Sequence, residues 1–167
     1  MPWLEIHPAT LANEHALATL ENAAWPLELR ETPRMGIDEP FFSPRREPQD
    51  VLVAVEEPDG VILGHIDLHQ LWPPPQRPHV VRLLGLLVSP AAREQGIGAK
   101  LLAAGIEEAR LRHARKVEVR ALDTNRTAVD LYLRSGFTEE ARFHHEFEVT
   151  EGQFVDDVWF SLWLDPR

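Results

Sequence analysis

The chain contains no cysteine. Disulfides, thiolate–zinc sites and a cysteine nucleophile are therefore excluded. No apolar run reaches the ~18 residues that a membrane-spanning helix needs. The start, Met1-Pro2-Trp3-Leu4-Glu5, carries neither the basic stretch nor the apolar core of a secretory leader. A cytoplasmic location with no membrane partner is the expectation. Lysine is scarce, with Lys100 and Lys116 the only two, and Tyr132 is the only tyrosine. Positive charge is in deficit overall: 17 Lys and Arg face 27 Asp and Glu, for a net charge of −10. A body of that sign is a poor partner for nucleic acid. It favours solubility and attracts cationic substrates such as amines.

What is present fits one domain over residues 1–167 with a sizeable core. Residues 3–7 read as a first strand. Thr10 is placed to cap a helix running to about Ala24, with Leu11, Ala16, Leu17 and Leu20 as its apolar stripe. Residues 27–50 are rich in proline and charge, and read as a loop or short irregular helix. Residues 51–55 and 61–71 read as a hairpin around Pro58-Asp59-Gly60. In the second strand Ile62, Gly64, Ile66 and Leu68 alternate with Leu63, His65, Asp67 and His69, which makes one face apolar and the other polar. A stiff loop follows at Trp72-Pro73-Pro74-Pro75.

Residues 80–88 are apolar on both faces, as a buried central strand should be. A glycine turn and a helix to about His113 come next. Residues 116–122 then form a strand that must run parallel to residues 80–88. Asn125 begins a helix over 126–134, which Gly136 ends. Two strands, 137–149 and 154–164, close the chain. The tryptophans at 25, 72, 159 and 163 are expected to pack, with a subunit interface, and so a homodimer, open for Trp159 and Trp163.

The glycine turn carries the first functional signal. Arg93, Gly96 and Gly98 form R-x-x-G-x-G between a strand and a helix. Free backbone N–H groups and a helix N-terminus suit a pyrophosphate. Two nucleotide motifs fail here. The P-loop pattern is broken by Ala99 and Leu101, and the dinucleotide pattern lacks its third glycine at Leu101. A nucleotide-phosphate enzyme is disfavoured accordingly.

The second signal is Asn125, Ala128, Leu131, Tyr132, Gly136 and Phe137, spaced N-x-x-A-x-x-L-Y-x-x-x-G-F. The two patterns together resemble the GCN5-related N-acetyltransferases, and the Asp156-Asp157 strand is similar to the phosphinothricin-acetyltransferase-like branch. The resemblance implies an α/β (α+β) fold with a mixed sheet of about seven strands and helices on both faces. It implies acetyl-CoA as co-substrate and a primary amine of a small molecule or peptide as acceptor. It places the pantetheine arm on the backbone of Leu86, Leu87 and Val88. It places the pyrophosphate on Arg93, Glu94, Gln95, Gly96, Ile97, Gly98 and Ala99. Asn125 and Ala128 would meet the cofactor arm, and Tyr132 would protonate the leaving thiolate. The alternative is a non-catalytic acyl-CoA-binding module on the same fold.

One part of the pattern is missing. Many relatives carry a glutamate on the central strand, but residues 80–88 hold only Arg82 as a charged group. Asp67 is the tentative base or relay. His65, His69, Glu28, Glu31, His144, His145 and Glu146 are further candidates. His65, Asp67 and His69 at i, i+2 and i+4 span about 13 Å along a strand, too far for one ion, so no metal site is expected.

Overall fold

A computed structural model of the chain describes residues 1–24, 39–70 and 77–164. Alternating and continuous apolar segments become seven strands: β1 (Trp3–Pro8), β2 (Val51–Glu57), β3 (Val61–His69), β4 (Val80–Val88), β5 (Lys116–Leu122), β6 (Thr138–Thr150) and β7 (Gln153–Trp163). They form one sheet in the order β1-β2-β3-β4-β5-β7-β6. β4 and β5 pair in parallel and the other neighbours are antiparallel. Three helices cover the sheet: α1 (Glu14–Ala24), α2 (Ile97–Leu111) and α3 (Arg126–Arg134). This is the mixed seven-stranded α/β architecture expected.

α1 lies on one face, here called the front. Its Leu17 packs with Phe41, Phe42, Val51, Val53 and Val55, and its Leu20 and Ala24 pack with Leu87. α2 and α3 cover the back. Leu101, Leu102 and Ala109 of α2 and Tyr132 of α3 join Ile66, Leu68, Val81, Leu83, Val117, Val119, Val158 and Phe160 in the main core. Each fully buried leucine there contributes about 1.5–3 kcal/mol of transfer free energy. No helix among the described residues is long and apolar enough to cross a membrane.

Several boundaries differ from the sequence reading for local reasons. Thr10 starts a 3₁₀ turn over Leu11–Asn13, and its N–H donates to Asn13 Oδ1 at 2.8 Å, before α1 proper begins. α2 stops at Leu111 because His113 takes φ 62°. Phe137 is outside β6 because its N–H donates to Tyr132 O at 3.1 Å and closes α3. β2 runs on to Glu57, held by pairing with Trp3. The alternation assigned to β3 also breaks. The register slips by one between Ala54 and Val55, so Ile62 packs on the front and Leu63 on the back. Trp163 is exposed and stacks on His79 rather than entering the core. Trp25 and Trp72 lie outside the described residues.

Candidate active site

β4 and β5 are paired only at Val80↔Lys116, Val81↔Val117 and Arg82↔Glu118. Beyond Arg82 they have no further registered partners, although β4 runs on to Val88. The cause is visible in β4 itself. Against β3, residue Asp67 sits opposite Leu84 and His65 opposite Leu87, so β4 has one residue more than its partner. Gly85 takes φ +59° within this bulge, a conformation that costs other L residues roughly 1–2 kcal/mol. The bulge bends β4 where its ladder to β5 ends, and the strand edge beyond it is left open.

The glycine turn closes the same end of β4. Gly96 caps α2 with φ +76°, and its carbonyl accepts the N–H of Lys100 at 3.1 Å. The amides of the first helical turn, Ile97, Gly98 and Ala99, therefore have no intrahelical acceptor. Helix-dipole charge adds to them. Arg93, Glu94 and Gln95 are exposed in the approach to the helix. The guanidinium of Arg93 is directed elsewhere, because its Nη2 donates to Ala24 O at the end of α1 at 2.9 Å.

The two sequence patterns meet at this point. A Cβ built on Gly98 would lie 3.7 Å from Val88 Cγ2 of β4 and 3.7 Å from Leu131 Cδ2 of α3. α3 is oriented by Asn125, whose Oδ1 accepts the N–H of Ala128 at 3.3 Å. Tyr132 is buried, its ring 6.0 Å from Phe137 and 5.8 Å from Phe160. Open strand edge, unpaired amides and the α3 face fit an extended ligand with an anionic end, as acetyl-CoA is.

The front face beside the bulge is polar and buried. His65 is fully buried and Asp67 nearly so. His65 Nδ1 lies 3.2 Å from Asp67 Oδ1, and Arg46 Nη2 lies 2.8 Å from Asp67 Oδ2. Arg46 also pairs with Glu21 of α1 at 2.9 Å and stacks over Phe41, 3.6 Å from its centroid. His69 Nε2 stands 3.9 Å from Asp67, an ion-pair distance rather than a hydrogen bond. Burial pushes the Asp67 carboxyl up. The contacts with His65 and His69 and the charges of His65 and Arg46 outweigh it and hold the group well below the usual carboxylate range. At the last rung before the gap, Arg82 pairs with Glu118 at 2.9 Å and stacks on Trp159. Arg120 pairs with Asp157 at 2.8 Å, and Trp159 Nε1 donates to Asp157. Burial raises Glu118, but hydrogen bonds from Arg82 and Lys116 lower it further.

Glu21, Arg46, Glu118, Arg120 and Asp157 were not singled out from the sequence as site residues. Charges at alternate positions inside β5 and β7 were the available signal for three of them. Glu21 and Arg46 join the cluster only through tertiary contact. His144 is exposed on β6 and bonded to Asp156, and His145 and Glu146 lie in the same exposed stretch. Glu28 and Glu31 lie outside the described residues. Among the described residues no group of three His, Cys, Asp or Glu side chains is arranged to hold a metal ion.

Comparison with known proteins adds four findings. The sequence profile of the family described as "Acetyltransferase (GNAT) family" matches residues 15–137. An uncharacterized N-acetyltransferase of Bacillus subtilis (strain 168), YhfO, is 27% identical over 146 residues, covering 85% of this chain and 95% of that protein. The crystal structure of smu.2055 from Streptococcus mutans UA159 superposes with a TM-score of 0.79 at 28% identity, over 96% of this chain and 99% of that one. That of yncA, a putative acetyltransferase from Salmonella typhimurium with its cofactor acetyl-CoA, gives 0.76 at 22% identity, over 99% and 96%, and so bears on the fold alone.

Proposed function

The chain belongs to the GNAT acetyltransferase family, and from that premise we propose that it moves an acetyl group from acetyl-CoA to a primary amine of a small molecule or peptide. The observation that carries this reading is the parting of β4 from β5 after Arg82, directly beside the glycine turn. The yncA neighbour carries acetyl-CoA on the same fold. Here the open edge of Leu86, Leu87 and Val88 takes the place of a strand partner for the pantetheine arm. Backbone amides between Arg93 and Ala99 receive the pyrophosphate. Asn125 and Ala128 line the arm from the start of α3.

The amine attacks the thioester carbonyl directly. Holding both reactants in line supplies much of the rate, and an amide at the β4 bulge is suited to the developing oxyanion. Tyr132 gives a proton to the departing sulfur. A phenol keeps its proton at neutral pH, and Tyr132 lies two turns along α3 from Asn125, on the same face. Asp67 is a weak base in its ion-paired surroundings, so its part is to hold and relay rather than to remove a proton outright.

The test is free-thiol release from acetyl-CoA across an amine panel, with cofactor affinity measured by calorimetry. Tyr132→Phe is expected to slow release about 100-fold and to leave acetyl-CoA affinity unchanged. If no amine accelerates release by the wild type while acetyl-CoA still binds, the chain is a binding module instead.

A further inference from the structure

β4 supplies no base, but the strand beside it does. His65 stands on β3 opposite Leu87, next to the Gly85 bulge. A Cβ built on Gly85 would lie 3.7 Å from His65 Cε1 and 3.3 Å from Asp67 Oδ2. The ring edge between the two nitrogens therefore faces the point where β4 bends away from β5.

The hydrogen-bond geometry selects one tautomer. Asp67 is ion-paired with Arg46 at 2.8 Å, and an ionised carboxylate can only accept. At 3.2 Å, His65 Nδ1 must then be the donor. The opposite tautomer would set an Nδ1 lone pair against that carboxylate. In the neutral ring Nε2 is left with a lone pair, and it has no hydrogen-bond partner among the described residues although the residue is fully buried. Phe41, with its ring perpendicular to the imidazole at 5.3 Å, shields the ring from solvent. A buried, partnerless acceptor is costly to keep. The arrangement is that of a histidine base oriented by a carboxylate.

We infer that His65 Nε2 takes up the proton released by the attacking amine, and that Asp67 is its positioning partner. The inference rests on the acetyl-transfer reading above. The amine nitrogen bonds to the carbonyl carbon and the carbon–sulfur bond breaks. Sulfur takes its proton from Tyr132 Oη, and the nitrogen yields one to His65 Nε2. Once the product leaves, His65 gives that proton up to water entering the vacated amine site and Tyr132 regains one, so the products are the N-acetyl amine and the free thiol.

Among the described residues, the charged and titratable groups facing His65 are Asp67 and His69 from β3, Arg46 from the segment before β2, and Glu21 from α1 through Arg46. Its cross-strand neighbours Val53 and Leu87 are apolar. Among the described residues only Asp67 touches the ring nitrogen, and no arginine is paired with the imidazole.

The experiment compares the wild type with His65→Gln and Asp67→Asn, using acetyl-CoA and a fixed panel of glycine, spermidine and an alanyl peptide, from pH 5.5 to 9. His65→Gln is expected to lower kcat/KM at least 100-fold, to abolish the acidic limb of the pH profile, and to leave acetyl-CoA affinity within about twofold. Asp67→Asn is expected to cost about tenfold and to displace that limb. Activity of His65→Gln within threefold of wild type, with the limb intact, overturns the inference. Nitrogen NMR of the wild-type imidazole answers independently of whether the variants fold. A proton on Nδ1 at pH 8, with titration matching the kinetic limb, supports the inference. A proton on Nε2 at pH 8, or an imidazolium unchanged across the range, overturns it. A wild type that binds acetyl-CoA but acetylates none of the panel sinks the acetyl-transfer reading itself, and the inference falls with it.

Discussion

On the back of the sheet, Leu101, Leu102 and Ala109 meet Ile66, Leu68, Leu83 and Val117, and the phenol of Tyr132 is the ionisable group packed with them among the described residues. On the front, across β3 to β7, His65, Asp67, Glu118 and Asp157 are all buried. The same strands supply both faces, since β3 presents Ile66 and Leu68 one way and His65 and Asp67 the other. The back tolerates error in the way apolar packing does, by small shifts. The front depends on a chain of charges, Glu21 to Arg46 to Asp67, in which each group is held by its neighbours. Apolar burial makes the sheet stable, and the polar face beside the bulge is the one that the proposed reaction uses.

The comparison can be broken or sharpened by substitution. The largest effect is expected for Asp67→Asn, which leaves Arg46 buried with one carboxylate fewer. Urea denaturation should show a loss of about 3 kcal/mol. Asp157→Asn across the gap should cost only about 1 kcal/mol, because Arg120 reaches water and Trp159 Nε1 can still donate to the amide oxygen. Equal losses would mean that the two clusters do not differ in kind. The pH dependence follows the same line. Asp67 and Glu118 have folded pKa values below their unfolded ones. Their contribution is full above the ordinary carboxylate range near pH 4 and is lost as pH falls through the folded values. The urea midpoint should drop below about pH 4 in the wild type and drop less steeply in Asp67→Asn.

Next in size is Gly64→Ala. Its Cβ would lie 2.5 Å from the carbonyl oxygen of Leu87 and 3.1 Å from Leu101 Cδ1, so backbone must move, at about 2 kcal/mol. A back face that absorbed this without loss would be softer than argued. The smallest effect is expected for Gly96→Ala, where no atom stands within 4 Å and only the positive φ is strained. About 1 kcal/mol of stability should go, read by thermal melting, while acetyl-CoA binding weakens in calorimetry.

These differences match what could be read from the amino-acid order. The strands, the three helices and both halves of the cofactor pattern are local features: periodicity, a glycine turn, an asparagine cap. They were legible because neighbours in sequence determine them. The bulge at Gly85 was not, since it is a register event between β3 and β4, and nothing in the run of leucines announces it. Ile62 changed faces for the same reason. Arg46 stood among prolines without periodicity, so its pairing with Glu21 and Asp67 had no sequence signature. Asp67 was noticed as a polar residue in a strand, but its partners decide its chemistry. Arg93 was expected at the pyrophosphate, and the bond of its guanidinium to Ala24 O at the end of α1 had no signature in the sequence.

The three-residue seam between β4 and β5 has a thermodynamic consequence. Two arms of the sheet, β1 to β4 and β5 to β7, are joined in the ladder only by pairs from Val80 to Arg82. A ligand seated along the open edge supplies the missing rungs, so its binding is linked to global unfolding. At 100 times its dissociation constant it adds about 2.7 kcal/mol to the folded state. In hydrogen exchange, amides along the far half of β4 become the reporters of occupancy, slow when the groove is filled and fast when it is not. On the cofactor placement proposed above, substrate supply then raises the stability of the fold as well as the rate of turnover.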